Sequence, residues 1–394
     1  MRETGRPPPA GGSIVTDAGC AAMNPHRERP QEPLGGPDSP GGPIPREIEA
    51  AQSYLIGAGT SPADELIGRA IGRYKILREV GEGGCGIVYL AEQEQPVRRR
   101  VAFQITKPGT QTKAVIAHFE AKRRALALMD HPNIAKVLDA GPTESGRPYF
   151  VVELVEGIML TSYCDLAHLR IRQRVELFIQ ICHAIQHAHE RGIILGDIKP
   201  SSILGTVHNW VPVTKVIGLG LAKATTDQRL TEKTPFTGYE RFIGAPLYLS
   251  PELVETSALD IDARSDIYSL GVMLYELLTG KLPLDRYALA LGPGSMRQAI
   301  REKQPLRPSA RLGTLAEETL TTIAKDRGVD VPELTSELRG DLDRIVMKCL
   351  EKDRTWRYQT ATELAVDLTR HLANEPRHLC RTVWKQCREA RLRA

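Results

Sequence analysis

From Tyr74 onward, short apolar runs with a period of two predict strands. Tyr74–Val80 and Ile87–Gln93 flank a glycine-rich turn, and Val101–Thr106 and Pro148–Val155 follow. Between them, Val115–Met129 carries apolar residues at helical spacing and stops at Asp130-His131-Pro132, where proline cannot continue a helix. Arg174–Arg191 predicts an amphipathic helix, with Val175, Phe178, Ile179, Cys182 and Ile185 recurring on one face. After Asp266 the chain reads as mostly helical to residue 373. Strands first and helices after predict an α+β architecture, a small sheet-rich lobe followed by a larger helical one.

The flanks differ in texture. Residues 1–45 are rich in proline, glycine and charge, as at Gly5-Arg6-Pro7-Pro8-Pro9, and cannot bury enough apolar surface to offset chain entropy. They are expected to be a disordered tail, and residues 46–72 a linker. Residues 374–394 form a basic tail that carries Leu379, Val383 and Trp384. It reads as solvated, and any contact with acidic lipid would be made there.

Composition removes several classes of function. A net charge of +4 over 394 residues, with no basic stripe interleaved with aromatics, argues against nucleic acid. The seven cysteines (Cys20, Cys85, Cys164, Cys182, Cys349, Cys380, Cys387) are odd in number and make no C-x-x-C pair. Neither a disulfide framework nor a zinc site is indicated, and a reduced, cytoplasmic compartment is the simplest expectation. The N-terminus lacks the apolar core of a signal peptide. The most apolar stretch, Tyr268–Leu278, contains Glu276 and is too short to cross a bilayer. His183 and His187 stand four apart, as metal ligands do on a helix, but with no third ligand near in sequence they read as surface or packed histidines.

The chemistry is concentrated in a set of ordered motifs. Gly81, Gly83, Gly86 and Val88 form G-x-G-x-x-G-x-V between two predicted strands, where glycine lets backbone amides approach phosphates. Val101-Ala102-Phe103-Gln104, Asp197-Ile198-Lys199-Pro200 and Ser250-Pro251-Glu252 follow in that order. With these, the chain resembles the protein-kinase superfamily, and most nearly the bacterial eukaryotic-like Ser/Thr kinases, including those of planctomycete type. His131-Pro132-Asn133-Ile134, Gly192-Ile193-Ile194, Asp266–Gly271 and Glu351–Arg354 belong to the same likeness. It covers residues 73–373, with an N-lobe over 73–152 and a C-lobe over 158–373.

The resemblance implies a bilobal fold with ATP between the lobes. Val88, Ala102 and Leu204 would sandwich the adenine ring, and the hinge backbone at Glu153 and Val155 would bond its edge. Gly81, Gly83 and Gly86 would cover the phosphates, and Asp197 with Lys199 would be the catalytic pair. Several positions depart from the family pattern. Gln104 replaces the phosphate-binding lysine, and Lys122 replaces its helix glutamate. Ser202 and Gly218 replace the two metal ligands, so no metal-binding residue is carried over. Leu195-Gly196-Asp197 stands for H-R-D, Gly218-Leu219-Gly220 for D-F-G, and Ala245 replaces a threonine of the substrate segment. The positions that serve folding are kept: Leu126, Leu195 and Leu219 as an apolar spine, Asp266 under the catalytic loop, and Glu252 with Arg357 as a buried ion pair. The expectation is a pseudokinase, a regulatory or scaffold module that binds a protein partner, either an active kinase or a substrate protein. It would hold ATP weakly and without magnesium. The alternative is an active Ser/Thr kinase working through Asp197, Lys199 and the glycine loop, and a third reading is a decayed paralogue without function.

Overall fold

The period-two pattern at Val101–Ile105 is realised as a strand whose alternate residues Val101, Phe103 and Ile105 are fully buried, leaving Ala102 and Gln104 on the other face. The structure, a computed structural model, describes residues 66–83, 86–106, 123, 126, 128–217, 223–224, 246–255, 261–284 and 292–374, all within one compact unit. The helix expected over Val115–Met129 lies largely outside the described residues, as do both chain ends.

Six strands build the first lobe: β1 (Ala70–Ile71), β2 (Tyr74–Gly83), β3 (Gly86–Gln93), β4 (Arg99–Ile105), β5 (Val137–Pro142) and β6 (Pro148–Glu153). They form one antiparallel sheet in the order β1-β2-β3-β4-β6-β5. Its buried face is Tyr74, Ile76, Tyr89, Ala91, Val101, Phe103, Ile105 and Val151. Phe103 stacks on Tyr149 with ring centroids 4.7 Å apart. Each large side chain buried here contributes about 1.5–3 kcal/mol. The sheet begins earlier than residue 73, because Ala70 and Ile71 pair with Lys75 and Tyr74.

The second lobe carries β7 (Ile158–Met159), β8 (Ile193–Ile194), β9 (Ile203–His208), β10 (Val211–Val216) and β11 (Lys223–Ala224). Its helices are α1 (Leu160–Leu166), α2 (Ile171–His189), α3 (Pro251–Val254), α4 (Ala263–Thr279), α5 (Pro293–Glu302), α6 (Pro308–Leu312), α7 (Glu317–Asp326), α8 (Val331–Leu338), α9 (Asp341–Cys349) and α10 (Ala361–Leu372). Helix α2 starts three residues before the expected Arg174 and buries Val175, Phe178, Ile181, Cys182 and Ile185. Helix α4 is buried nearly all round, so it is the axle of the lobe. Asp262 caps its start by accepting from the Arg264 N–H at 2.8 Å, and Gly280, at φ 64°, ends it.

Two buried guanidiniums tie helix ends together where the apolar pattern gives no hint of them. Arg174 donates to the carbonyls of Leu169 (2.7 Å), Cys164 (2.8 Å) and Asp326 (2.6 Å) and to the Asp165 carboxylate at 2.7 Å. Arg327 donates to Leu278 O at 2.7 Å and Leu277 O at 2.9 Å, at the end of α4. Burial, and then the charge of Arg174, push the Arg327 guanidinium down to about 10. Cys164, Cys182 and Cys349 are buried free thiols. Among the described residues no helix is long and apolar enough to cross a membrane.

Candidate nucleotide site and catalytic loop

The face of the first sheet opposite its core looks toward the second lobe. Register places Val88 directly across from Gln104, and Leu90 across from Ala102. Gln104 in turn faces Phe150, and Ala102 faces Val152. Residues directly opposite share a face, so Val88, Leu90, Ala102, Gln104, Phe150 and Val152 form one surface. Phe150, 7% exposed, packs into the main core of the second lobe with Leu126, Met129 and Ile134. Leu90, Phe150 and Val152 were absent from the candidate residues, although strand parity on either side of Ala102 and Gln104 points to them.

The strands on either side of the glycine turn stay paired up to Gly83 and Gly86. Their ladder runs Gly81↔Val88, Glu82↔Ile87 and Gly83↔Gly86. Gly86 has φ 145°, and a Cβ there would sit 2.1 Å from the Ile105 carbonyl oxygen, so no other residue fits. At Gly81 a Cβ would meet nothing within 4 Å, which leaves open space on that side of the ribbon.

The hinge follows β6. The Glu153 N–H donates to Lys136 O at 2.8 Å, and its carboxylate takes the Lys215 ammonium at 3.0 Å and the Lys136 N–H at 3.1 Å. The amide and the side chain of Glu153 thus fasten β6 to its neighbours. Val155 is the next residue of matching direction, and its N–H has no backbone partner among the described residues. Leu204 lies below the hinge: a Cβ on Gly157 would come within 3.2 Å of the Leu204 Cβ.

The catalytic loop is built on α4. Asp266, fully buried, accepts from the Leu195 N–H at 2.9 Å and the Gly196 N–H at 2.8 Å, and bonds His189 Nε2 at 2.8 Å. Gly196 has φ 70°, the left-handed region, where glycine carries no steric penalty. Asp197 and Lys199 are in direct side-chain contact, each about a quarter exposed. Ser202 is 6% exposed, and its hydroxyl is used within the loop, donating to Lys199 O at 2.7 Å and accepting from Lys199 N–H at 3.2 Å. The sequence motif located the Asp266 contact, but nothing in it pointed to His189 as a third partner.

Glu252 and Arg357 form the expected pair in bidentate geometry, at 2.7 and 2.9 Å. Ser265 donates to the same carboxylate at 2.7 Å. Burial pushes the Glu252 carboxyl up, but the hydrogen bonds and charge of Arg357 outweigh it and hold the group below its usual range. Leu126 and Leu195 share one core cluster. Lys122, Gly218, Leu219, Gly220 and Ala245 lie outside the described residues.

The sequence profile of the protein kinase domain matches residues 74–369. The chain is 32% identical over 312 residues to the serine/threonine-protein kinase PknB of Mycobacterium leprae, covering 77% of this chain and 44% of that protein. It is 33% identical over 306 residues to the serine/threonine-protein kinase PrkC of Bacillus subtilis, covering 77% and 41%. The chain thus spans less than half the length of these curated relatives. Among solved structures, the PknI kinase domain of Mycobacterium tuberculosis superposes with a TM-score of 0.52 at 19% identity, covering 78% of this chain and 98% of that one, a likeness of fold. A curled antiparallel sheet over a helical lobe, with an aspartate-anchored loop between them, is the kinase fold, and the chain belongs to the protein kinase domain family.

Proposed function

We propose that this chain is a pseudokinase, a kinase-family module that binds a protein partner and holds a nucleotide weakly without magnesium. The observation that carries the reading is Ser202: the hydroxyl at the metal-ligand position is buried and turned onto the backbone of Lys199, at 2.7 and 3.2 Å. The remaining donor set does not suit magnesium, which is held through carboxylates and phosphates. Asp197 is already engaged by Lys199, and among the described residues no group of three acidic, histidine or cysteine side chains is placed to hold a metal. Gln104 supports the same reading, because a neutral amide stands beside Val88 where phosphate would call for a cation. The apolar surface of Val88, Ala102 and Leu204, with Val155 at the hinge, suits an adenine ring.

The partner in this reading is an active kinase or a substrate protein. The compartment is the cytoplasm, in keeping with the free thiols of Cys164, Cys182 and Cys349. The planctomycete-type likeness belongs to the same proposal.

One observation favours the second reading, an active Ser/Thr kinase. Asp197 and Lys199 stand together on a loop fully anchored by Asp266, and the relatives are named as kinases. Radiolabel transfer from ATP to a generic protein substrate separates the two. We expect no transfer above background. Transfer that disappears in Asp197→Ala would establish catalysis through this site and overturn the proposal.

A further inference from the structure

The histidines at metal spacing on α2 acquire a partner that the sequence did not place beside them. His131, in the loop that leads into β5, lies with its ring centroid 5.1 Å from that of His187. Each imidazole accepts a hydrogen bond from the loop's own backbone. The Asp130 N–H donates to His187 Nε2 at 3.3 Å, and the Asn133 N–H donates to His131 Nδ1 at 3.1 Å. An imidazole accepts only through an unprotonated nitrogen, and imidazolium has none. Both bonds therefore require neutral rings.

We propose that His131 and His187 form a pH-released clasp that fastens the loop Asp130–Asn133 to α2. This inference is independent of the nucleotide reading. When both rings gain a proton, two acceptors become donors facing backbone N–H groups, and two like charges meet across the ring contact. The surroundings work in the same direction. His131 faces His187 and His183 from α2, Arg191 from the turn that follows it and Lys215 from β10; His187 faces Arg191 and, against these cations, Glu190 and Asp130. Asp130 is already paired with Lys136 at 2.9 Å. Burial first, then these positive neighbours, hold His131 below its ordinary value; burial and Arg191 do the same for His187, outweighing the two acids.

The sign follows from linkage. A histidine whose value is lowered in the closed loop binds fewer protons there than in the open one. The clasp is complete above the ordinary histidine value of about 6.5 and weakens as pH falls below it. The loop is also a junction. Asn133 donates to Thr214 O at 2.9 Å and Gln180 Oε1 at 3.0 Å, and accepts from the Val216 N–H at 2.8 Å. Release therefore loosens the mount of β10 and the join of the first lobe to α2.

Hydrogen exchange on the full chain at pH 7.5 and pH 5.5, corrected for the intrinsic rate, tests the clasp. The loss of two neutral hydrogen bonds should raise opening at Asp130 and Asn133 about tenfold or more at the lower pH. His131→Asn with His187→Gln keeps an acceptor oxygen at each place without a titrating ring, and should remove this pH response. A wild-type loop that opens equally at both pH values, or a double variant that responds as the wild type does, would overturn the proposal. The His131 and His187 ring-proton resonances of the unaltered chain give a second reading: midpoints below 6.5 are expected, and midpoints at or above it would also overturn it.

Discussion

Replacing Asp266 by asparagine tests the mount of the catalytic loop. The wild-type carboxylate serves three donors: Gly196 N–H on one oxygen, at 2.8 Å, and Leu195 N–H and His189 Nε2 on the other, at 2.9 and 2.8 Å. Asparagine keeps one oxygen and presents an NH2 in place of the second, so at least one backbone N–H meets another donor. A bond to a charged acceptor is worth about 1.5–3 kcal/mol, and each surviving bond falls to the neutral value of about 0.5–1.5 kcal/mol. Those losses alone give about 3–5 kcal/mol. His189 softens them. Its Nδ1 is buried with no hydrogen-bond partner among the described residues, so the ring can exchange tautomers and accept from the new amide through Nε2. The expected destabilisation is then about 2–4 kcal/mol, a sizeable share of the about 5–15 kcal/mol by which domains are typically stable. Urea unfolding of wild type and Asp266→Asn, with amide exchange at Leu195 and Gly196, measures it. A change below about 1 kcal/mol, with both amides as protected as before, would refute the three-donor account.

The glycine ribbon should divide by position. Gly86→Ala, whose Cβ would sit 2.1 Å from Ile105 O, should lower thermal stability by about 1–3 kcal/mol or prevent folding, whereas Gly81→Ala should stay within about 0.5 kcal/mol; thermal melts of both variants check this. Glu252→Gln leaves Arg357 buried without its charge partner and should cost about 3–5 kcal/mol near neutral pH. Because the Glu252 carboxyl is held below its ordinary value of 4.5, the stability it contributes is present above that pH and is lost as pH falls through its lower, folded value. The gap between Glu252→Gln and wild type should therefore narrow in melts taken below about pH 4.5.

The sequence carries most of the frame, for identifiable reasons. The alternation at Val101–Ile105 and the apolar stripe of α2 reflect burial on one face, which a single chain displays directly. Other elements were hidden. Strand β5 reads Val137-Leu138-Asp139-Ala140-Gly141-Pro142, where glycine and proline mask a pairing that β6 supplies. The β9–β10 hairpin turns at Asn209 and Trp210, both at positive φ (50° and 65°), and tryptophan is no turn signal. Arg174 and Arg327 look like surface residues, and only the meeting of helix ends shows why they are buried.

The site was read from motif order, and its chemistry from departures at single positions. Composition could not show that Glu153 spends its amide on Lys136 or that Ser202 turns back on Lys199. The first depends on β6 lying beside the segment that leads into β5, and the second on the turn at Pro200–Ser202, and neither is visible in residue type alone. The apposition of His131 and His187 is of the same kind, because the two residues belong to separate elements brought together by α2 packing.

Calorimetric titration of the wild-type chain with adenosine, ADP and ATP, each with and without magnesium, separates a bare adenine site from an intact phosphate and metal site. An apolar adenine site beside Gln104 and the inward-turned Ser202 predicts weak binding of all three. Their dissociation constants should lie within about threefold of one another, and magnesium should give no gain. Magnesium-ATP bound about tenfold or more tighter than adenosine, a difference of about 1.4 kcal/mol, would mean that the phosphate and metal site is intact, and would contradict the account.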